Sequence, residues 1–463
     1  MRVLGRAAAN SEKPSTGPVC AKITGCCPRP IALSVPRREE GLKRKSPGSS
    51  EGRLRVLFVT SHPVQYQAPL FRRLAADPRI ESHVVYATLK GAERALDPDF
   101  GAEIKWDVPL LDGYEWKEAR NRGSGRESFF GLFNPGVWRI IREGKFDAVV
   151  CFIGYVRATF WIALLAAKLS RAAFLFGTDA WSLVPRDRKR WKIAVKKLGW
   201  PLLFRLADQV IVPSSGGVEL MSSLGIPRER IALTPFVVDN DWWKAQAASV
   251  DKEAVRKNWN VPSDALVVLF CAKLQHWKRP FDVLEAFAKA DLPSAVLVFA
   301  GDGVLKEALR KRAAELGAGP RVRFLGFANQ TQLPAIYAAS DVLVLPSEYE
   351  PFGLVVNEAF CCGCPAIVSD RVGAGRDLVR PGETGDIFPC GDVEALARSL
   401  EKMLASPQRQ HLSRWAKARV DTWSPRENIE GIVHALQSAT SRNGAGARKV
   451  PDENSSGLPG VSK

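Results

Sequence analysis

Residues 342–359 read VLVLPSEYEPFGLVVNEA, and this stretch carries most of the information about the fold class. Its first four residues are apolar and β-rich, which is typical of a strand buried on both faces of a parallel sheet. The later residues predict a helix, with Pro351 in its favoured first turn. A strand, a short polar loop and a helix in this order indicate one unit of a doubly wound α/β sheet.

The N-terminus of this predicted helix is a candidate anion site. The backbone amides of Gly353, Leu354 and Val355, beside Phe352, are expected to point out of the helix. Unpaired amides and the positive end of the helix dipole favour negative charge there. The stretch therefore predicts a cradle for a diphosphate.

Two carboxylates flank this cradle. Glu350 lies just before the predicted helix, and Glu358 lies about two turns along it. One carboxylate can accept hydrogen bonds from the hydroxyls of a sugar and the other from those of a ribose. Two Glu residues at this spacing carry little information alone, because exposed helices hold many. The complete string is far more specific.

The same order of strand and helix recurs on both sides of this stretch. Helical patterns lie between β-rich runs at 54–60, 83–87, 148–153, 172–176 and 209–212, and between later runs at 266–271, 295–300, 322–325, 342–345 and 366–368. Two series of this kind predict two facing Rossmann-like domains, the GT-B arrangement, with a cleft between them. We place the first domain at 53–242 together with a C-terminal helix at about 423–440, and the second at 243–422.

Composition and charge narrow the class of protein. The 463 residues are 46% hydrophobic and 25% charged, which is typical of a globular protein with an ample core. Residues 1–52 and 441–463 are polar and predict disordered tails. No stretch reaches the roughly 20 apolar residues that a membrane span needs, and Phe160–Leu169 predicts a buried helix instead. The N-terminal tail lacks the apolar region of a signal peptide, so we expect a cytoplasmic protein.

The cysteines and the acidic pairs do not predict a metal site. Cys361, Cys362 and Cys364 have no second Cys or His pair at a zinc-ligand spacing, so they are expected to be small buried thiols. Asp97 and Asp99 flank a proline, which is typical of an ordinary turn. No metal and no other cofactor is expected.

A second string, FCAKLQHWKRP at 270–280, also lies between a strand and a helix. Its Lys273 and Lys278 are expected to face the same cleft, where cations would neutralise a departing nucleoside diphosphate. A solvated basic loop is the alternative explanation. A third string ends a strand at Gly326 and Phe327, where backbone groups could bind a nucleobase.

These strings, in this order, resemble the donor half of the retaining family-4 glycosyltransferases of GT-B fold. The resemblance is close over 265–405, including VGAGRD at 372–377, and looser over 53–245. It implies that Glu350 contacts the donor sugar, Glu358 the ribose, and Lys273 and Lys278 the diphosphate. Members of the family need no metal. The family usually has Arg where Lys273 stands and Glu where Asp377 stands.

The first domain departs further from the family. Many members carry a histidine near the reacting sugar, whereas the corresponding stretch here reads FGTDAW at 176–181. Asp179 is the candidate substitute. The first loop lacks the usual paired glycines, and His62, Gln65 and Tyr66 in it are candidates to bind an acceptor. His62 could equally cap the loop.

Residues 186–205 hold eight Lys or Arg and one Asp, within a chain whose formal net charge is +17. On a helical wheel Trp191, Val195, Leu198 and Leu202 lie on one side, with basic residues beside them. Such a segment predicts contact with an anionic membrane surface. The alternative is a surface helix that packs its apolar side on the core. No motif indicates nucleic-acid binding.

The residues thus predict a site for a diphosphate and a polyol. Together with the resemblance, which alone implies retention, they predict a metal-independent, hexosyltransferase-like enzyme that moves a sugar from a nucleoside diphosphate to a glycan or a lipid-linked acceptor. The expected role is the synthesis of a cell-surface polysaccharide or glycolipid at the inner face of the membrane. A non-catalytic nucleotide-sugar-binding scaffold subunit at the membrane is the alternative from another class, and a sugar-nucleotide epimerase is a related enzymatic one.

Overall fold

The structure is a computed structural model, which describes residues 52–92, 95–97, 102–104, 106–184, 190–405 and 409–442. The predicted tails lie outside these ranges, except for Gly52 and for residues 441–442, which belong to the last helix. The strands are β1 Leu54–Thr60, β2 Ile80–Tyr86, β3 Ala95–Asp97, β4 Ala102–Ile104, β5 Trp116–Glu118, β6 Ala148–Cys151, β7 Ala173–Gly177, β8 Gln209–Val212, β9 Ile231–Leu233, β10 Leu266–Cys271, β11 Ala295–Ala300, β12 Val322–Gly326, β13 Val342–Leu345, β14 Ala366–Ser369 and β15 Gly385–Phe388.

The helices alternate with the strands along most of the chain, as the sequence predicts. They are α1 Ala68–Ala76, α2 Gly136–Gly144, α3 Ala158–Leu169, α4 Arg190–Arg205, α5 Ser215–Ser223, α6 Asn240–Ala248, α7 Lys252–Asn258, α8 Pro280–Lys289, α9 Lys306–Glu315, α10 Leu333–Ala338, α11 Val355–Cys361, α12 Gly373–Asp377, α13 Val393–Leu404, α14 Arg409–Asp421 and α15 Pro425–Arg442.

The strands form two parallel sheets. The first has the order β5-β2-β1-β6-β7-β8-β9 and the second the order β12-β11-β10-β13-β14-β15. Hydrophobic clusters cover both faces of each sheet, which explains why the strands are apolar without alternation. The predicted fold class, two Rossmann-like doubly wound domains, is confirmed.

The direction of winding reverses once in each sheet. In the first sheet β1 lies between β2 and β6, and in the second β10 lies between β11 and β13. The loops that leave the carboxyl ends of β1 and β6 therefore diverge to opposite faces, as do the loops after β10 and β13. Ligands of doubly wound sheets bind in the crevice at such a reversal.

The last helix returns from the second half of the chain to the first sheet. Ile432, Val433 and Leu436 of α15 are buried in one cluster with Phe58 and Phe71. The helix begins beside the end of β9, where the Asn428 side-chain amide donates a hydrogen bond to the Pro235 carbonyl oxygen (2.7 Å). The boundary predicted at 242/243 falls inside α6, whose Trp243 is buried in the core of the second sheet.

Side chains and backbone also connect the two sheets across the cleft. The Asp377 carboxylate at the end of α12 accepts hydrogen bonds from the Ser215 amide at the start of α5 (3.1 and 3.3 Å). Arg376 pairs with Glu219 nearby (2.7 Å). The Asn357 side-chain amide donates to the Phe236 carbonyl oxygen (3.1 Å). The two halves therefore meet through defined polar contacts.

Three local predictions were wrong. Helix α11 begins at Val355, so Pro351 precedes the helix and Glu358 lies about one turn along it. Helix α3 is buried on one face only, since Leu165 and Leu169 are 54% and 55% exposed. The short strands β3, β4, β5, β9 and β15 were not predicted; β15, which reads GDIF, lacks the continuous apolar run by which the equally short β8 and β13 were predicted.

The close approach of α15 to β9 allows a test of this packing. A Cβ atom added at Gly431 would lie 2.4 Å from the Leu233 carbonyl oxygen, whereas one at Gly199, inside α4, has no atom within 4 Å. Gly431→Ala should destabilise the protein by about 1–3 kcal/mol through overpacking. Gly199→Ala should stabilise it by about 0.5–1 kcal/mol through helix propensity. Urea unfolding measures both, and shifts of the same sign would contradict this account of α15.

Candidate active site

Two loops meet where the second sheet reverses its winding. The loop that holds Lys273 and Lys278 follows β10, and the loop that holds Glu350 follows the neighbouring strand β13. The loops touch directly, because the Glu348 amide donates a hydrogen bond to the Trp277 carbonyl oxygen (2.8 Å). The structure thus brings together the two strings that the sequence singled out.

An ion pair joins these loops. The Lys278 ammonium contacts the Glu350 carboxylate, and the side chains are only 13% and 15% exposed. The Lys278 ammonium also lies 4.2 Å from the centre of the Trp277 ring, a favourable cation–π distance. Both charged groups are therefore held in a defined position at the edge of the sheet.

The turn after β11 supports the Lys273 loop from the other side. The Leu274 amide donates to the Asp302 carbonyl oxygen (2.9 Å), and the Gly301 amide donates to that of Gly326 (2.8 Å). The turn at Gly301 and Asp302 therefore connects the loops after β10 and β12. Phe327, the residue predicted to flank a nucleobase, lines a groove of ≈ 370 Å³ together with Trp259.

The loop that holds Glu350 is supported by the VGAGRD string. The Gly373 amide donates to the Glu350 carbonyl oxygen (3.1 Å), and the Ala374 amide donates to that of Phe352 (2.7 Å). A Cβ atom added at Gly373 would lie 2.2 Å from the Pro351 carbonyl oxygen. Only glycine permits this close approach. Gly353 has a φ of 102°, so the chain is not helical at that position.

Glu358 lies in the first turn of α11. Its carboxylate accepts a hydrogen bond from the Tyr337 hydroxyl (2.8 Å), which also lies 3.4 Å from the Cys271 sulfur atom. Burial raises the pKa of Glu358 to about 7, although the Tyr337 hydrogen bond opposes the shift. Sequence reasoning missed Tyr337, because an aromatic residue in the apolar pattern of α10 indicates core packing.

The first domain presents a cavity of ≈ 350 Å³ at its own reversal of winding. Tyr66 and Asp179 both line it, whereas His62 and Gln65 are not among its lining residues. Burial, aided by the charge of Asp179, raises the pKa of Tyr66 to about 12, so the phenol stays protonated. More than a third of His62 is exposed, yet the adjoining loops desolvate its ring and lower its pKa.

A groove of ≈ 480 Å³ continues from this cavity to the second domain. It shares Tyr155, Asp179 and Trp200 with the cavity, and it is also lined by Tyr349, the residue before Glu350. The candidate acceptor residues and the candidate donor loop therefore face one another across the cleft.

The cysteines near α11 are buried thiols. Cys361, Cys362 and Cys364 are each at most 4% exposed, and burial raises the pKa of every one of these thiols. In the described ranges no group of three or more His, Cys, Asp or Glu side chains is placed to hold a metal ion. The predicted turn at 97–99 lies largely outside those ranges.

The basic segment forms α4 from Arg190 onward, while 186–189 lie outside the described residues. Trp191, Val195, Leu198 and Leu202 are 58–79% exposed. The alternative prediction that this apolar side packs on the core was therefore wrong, because Trp200, Leu203 and Phe204 form the buried side instead. Among the described helices, none has the length and hydropathy that a membrane crossing requires.

Known proteins resemble both halves of the chain. Residues 63–236 match the family described as glycosyl transferase 4-like domain, and residues 251–419 match glycosyl transferases group 1. The lipopolysaccharide core biosynthesis glycosyltransferase LpsE of Rhizobium meliloti is 34% identical over 202 residues, which are 44% of this chain and 55% of that protein. A D-inositol 3-phosphate glycosyltransferase of Geodermatophilus obscurus is 32% identical over 256 residues, 53% of this chain and 55% of its own.

The chain thus spans about half the length of the curated relatives it matches. Among solved structures, HepE of Anabaena in complex with UDP superposes with a TM-score of 0.64 at 18% identity, over 83% of this chain and 100% of that one. That likeness concerns the fold. The two family matches cover the two parallel-sheet domains, one match for each domain. The chain therefore belongs to the glycosyltransferases of GT-B fold.

Proposed function

We propose that this protein transfers a sugar, with retention of anomeric configuration, from a nucleoside diphosphate to an acceptor hydroxyl bound in the first domain. The observation that supports this most directly is the Lys278–Glu350 pair, which lies at the reversal of the second sheet. Across the cleft from it, Tyr66 and Asp179 line a cavity of acceptor size.

The donor is proposed to lie across the loops after β10 and β13. Lys273 and Lys278 would bind the diphosphate as point charges, together with the amides at 353–355. Glu350 would accept hydrogen bonds from the sugar and Glu358 from the ribose, while Gly326 and Phe327 would flank the base. These cations supply the charge that a metal supplies elsewhere, so we propose a metal-independent site. UDP-glucose is the first donor to test, because HepE is described in complex with it.

In the proposed step the bond between the anomeric carbon and the diphosphate oxygen breaks, and the diphosphate leaves with the bonding electrons. Lys273 and Lys278 stabilise the negative charge that develops on it. The acceptor hydroxyl attacks the same face of the sugar, and its proton passes to the departing diphosphate. Asp179 is proposed to orient that hydroxyl.

The acceptor is proposed to be a glycan or a lipid-linked molecule in the synthesis of a cell-surface polysaccharide or glycolipid. LpsE, named for lipopolysaccharide core biosynthesis, supports this class. We place the protein in the cytoplasm, at the inner face of the membrane, with no nucleic acid as partner.

The exposed apolar side of α4 supports the membrane contact. Its aromatic and aliphatic side chains lie beside Lys192, Lys196 and Lys197. Apolar insertion combined with basic charge is how an amphipathic helix binds anionic lipid.

Glu350→Gln tests the donor role. Transfer should fall by about 100- to 1000-fold, because a carboxylate that stabilises the transition state becomes a neutral amide. Binding of UDP should stay within about threefold of the wild type, because Glu350 is assigned to the sugar. Activity is measured with membrane extracts as acceptor source, and Glu348→Gln, in the same loop, is the matched control.

Near-normal transfer by Glu350→Gln would contradict the assignment. If the wild-type protein binds UDP-glucose but transfers to no acceptor, the scaffold alternative is favoured. Conversion of the donor without an acceptor would favour the epimerase.

The pKa of Glu358 predicts a pH-dependent donor affinity. A carboxyl group with a pKa of about 7 keeps its proton below that pH, and only the ionised form can accept from both ribose hydroxyls. Affinity for UDP-glucose should therefore rise between about pH 5 and pH 7 and level off above, by up to about tenfold per pH unit. Isothermal calorimetry at a series of pH values measures this affinity. The diphosphate of UDP-glucose is esterified at both ends and does not titrate between pH 5 and pH 7, so it does not contribute to the profile.

Glu358→Gln is the control for this prediction, because the amide has no proton to lose. Its affinity should be weaker at high pH and nearly constant across the range. An equally steep profile in this variant would assign the titration to another group.

Vesicles test the membrane contact. Replacing Leu198 and Leu202 by Ser should weaken binding to phosphatidylglycerol-containing vesicles at least tenfold, because each buried Leu contributes about 1.5–3 kcal/mol. Val304→Ser is the matched control, since Val304 in the second domain is 78% exposed and Leu198 79%. Flotation measures binding, which should also weaken in high salt. Equal losses in both variants would contradict a specific α4 contact.

A further inference from the structure

The cavity in the first domain has an unusual lining for a glycan site. Its lining includes Leu70 and Phe71 of α1, Ile432 of α15, and Phe152 and Ile211 at the sheet. Phe71, Ile211 and Ile432 are each at most 2% exposed. A fully hydroxylated sugar would lose hydrogen bonds to water against these side chains without replacement.

The cavity lining also holds polar side chains, which include those of Tyr66, Gln67, Thr178, Asp179 and Thr234. Asn428 also lines the cavity, is 5% exposed, and uses its side-chain amide to hold the Pro235 carbonyl oxygen. Its carbonyl oxygen Oδ1 is buried and has no hydrogen-bond partner within the described part of the protein. A buried acceptor without a partner is costly, and a ligand hydroxyl would satisfy it.

The cavity also adjoins a groove on the exposed side of α4. The adjoining groove shares Tyr155 and Trp200 with it and includes Trp191 and Val195, which are exposed. Trp191, Val195 and Trp200 thus provide apolar contacts beside the cavity, in a groove that Lys192 and Lys196 also line. The polar end of such a molecule would remain beside Asp179 and Tyr349.

We propose that this cavity binds an acceptor whose hydroxyl group is carried on an apolar ring or chain. The assignment rests on the proposed transfer reaction, and it specifies the class of acceptor. The apolar body lies against the apolar lining residues of α1 and α15, and a hydroxyl beside Asp179 faces the donor loop. Such a body can belong to a lipid chain or to a compact ring.

Three compounds distinguish a lipid chain from a compact ring as the apolar body. They are n-octyl β-glucoside, phenyl β-glucoside and, as the reference without an apolar group, glucose. Calorimetry of the full chain, below the micelle concentration, measures their affinities without any turnover. Octyl or phenyl glucoside should bind at least about tenfold more tightly than glucose, because the cavity buries their apolar part. Stronger binding of the octyl compound indicates a chain, and stronger binding of the phenyl compound indicates a ring.

Gly154→Leu blocks the cavity without disturbing the backbone. Gly154 lines the cavity, and a Cβ atom added there meets only a Val156 methyl group at 3.9 Å. The variant should weaken glucoside binding at least about tenfold, since the new side chain occupies the space of the ligand. Gly136→Leu is the matched control, because its Cβ atom has no neighbour within 4 Å and it lies outside the cavity.

Glucose binding as tightly as both glucosides would overturn the assignment, and so would glucoside binding that Gly154→Leu leaves unchanged. UDP-glucose is titrated into the same samples. Its binding should survive Gly154→Leu, which shows that the variant is folded. Failure of the wild type to bind UDP-glucose would overturn the proposed donor site and leave the glucoside result to be judged by itself.

Discussion

The ion pair between Lys278 and Glu350 is the contact on which the rest of the site depends. It joins the loops after β10 and β13, which the reversal of winding would otherwise send to opposite faces of the sheet. Removing two charges from water costs more than an isolated pair usually returns, so such a pair is weak evidence for stability. Its position is better explained by ligand binding. In the proposed complex a diphosphate would take the place of Glu350 as partner for Lys278, and Glu350 would then be available to sugar hydroxyls.

Glycine and backbone amides hold that pair in place. Because Gly373 has no side chain, the start of α12 lies close to the loop that holds Glu350. The first two amides of α12 donate hydrogen bonds to the carbonyl oxygens of Glu350 and Phe352. This contact explains why the sequence placed the helix start wrongly. Pro351 fits a first helical turn by its local preference, but Gly353 has a φ of 102°, outside the helical region, and the carbonyl oxygens of Glu350 and Phe352 pair with amides of a segment about twenty residues later. Local propensity contains no record of such a tertiary contact.

Other parts of the site were predicted well because they depend on local pattern. Strands β8, β10, β11 and β13 have the bounds that the apolar runs gave, since a strand buried on both faces must be apolar throughout. The positions of Lys273, Lys278 and Glu350 followed from their order after such strands. Tyr337 and Asn428 could not be found in this way. Each lies in an ordinary helical pattern, and its contact with Glu358 or with the cavity depends on the packing of distant elements.

The distribution of exposed apolar side chains connects the two halves of the proposed reaction. Within the described residues, most large exposed apolar side chains lie between 129 and 206, in the first domain, whereas the second domain has few. A donor that carries a diphosphate needs cations and amides, which the loops of the second sheet provide. An acceptor with an apolar body would need a binding surface from which water is excluded, and the cavity beside Asp179 offers buried apolar side chains for this. The exposed apolar side chains of α4 line the groove that adjoins the cavity. The Asp377 carboxylate, which accepts a hydrogen bond from the Ser215 amide at the start of α5, connects the two domains that carry these surfaces. In the proposed reaction the acceptor hydroxyl would meet the donor sugar at the boundary between them.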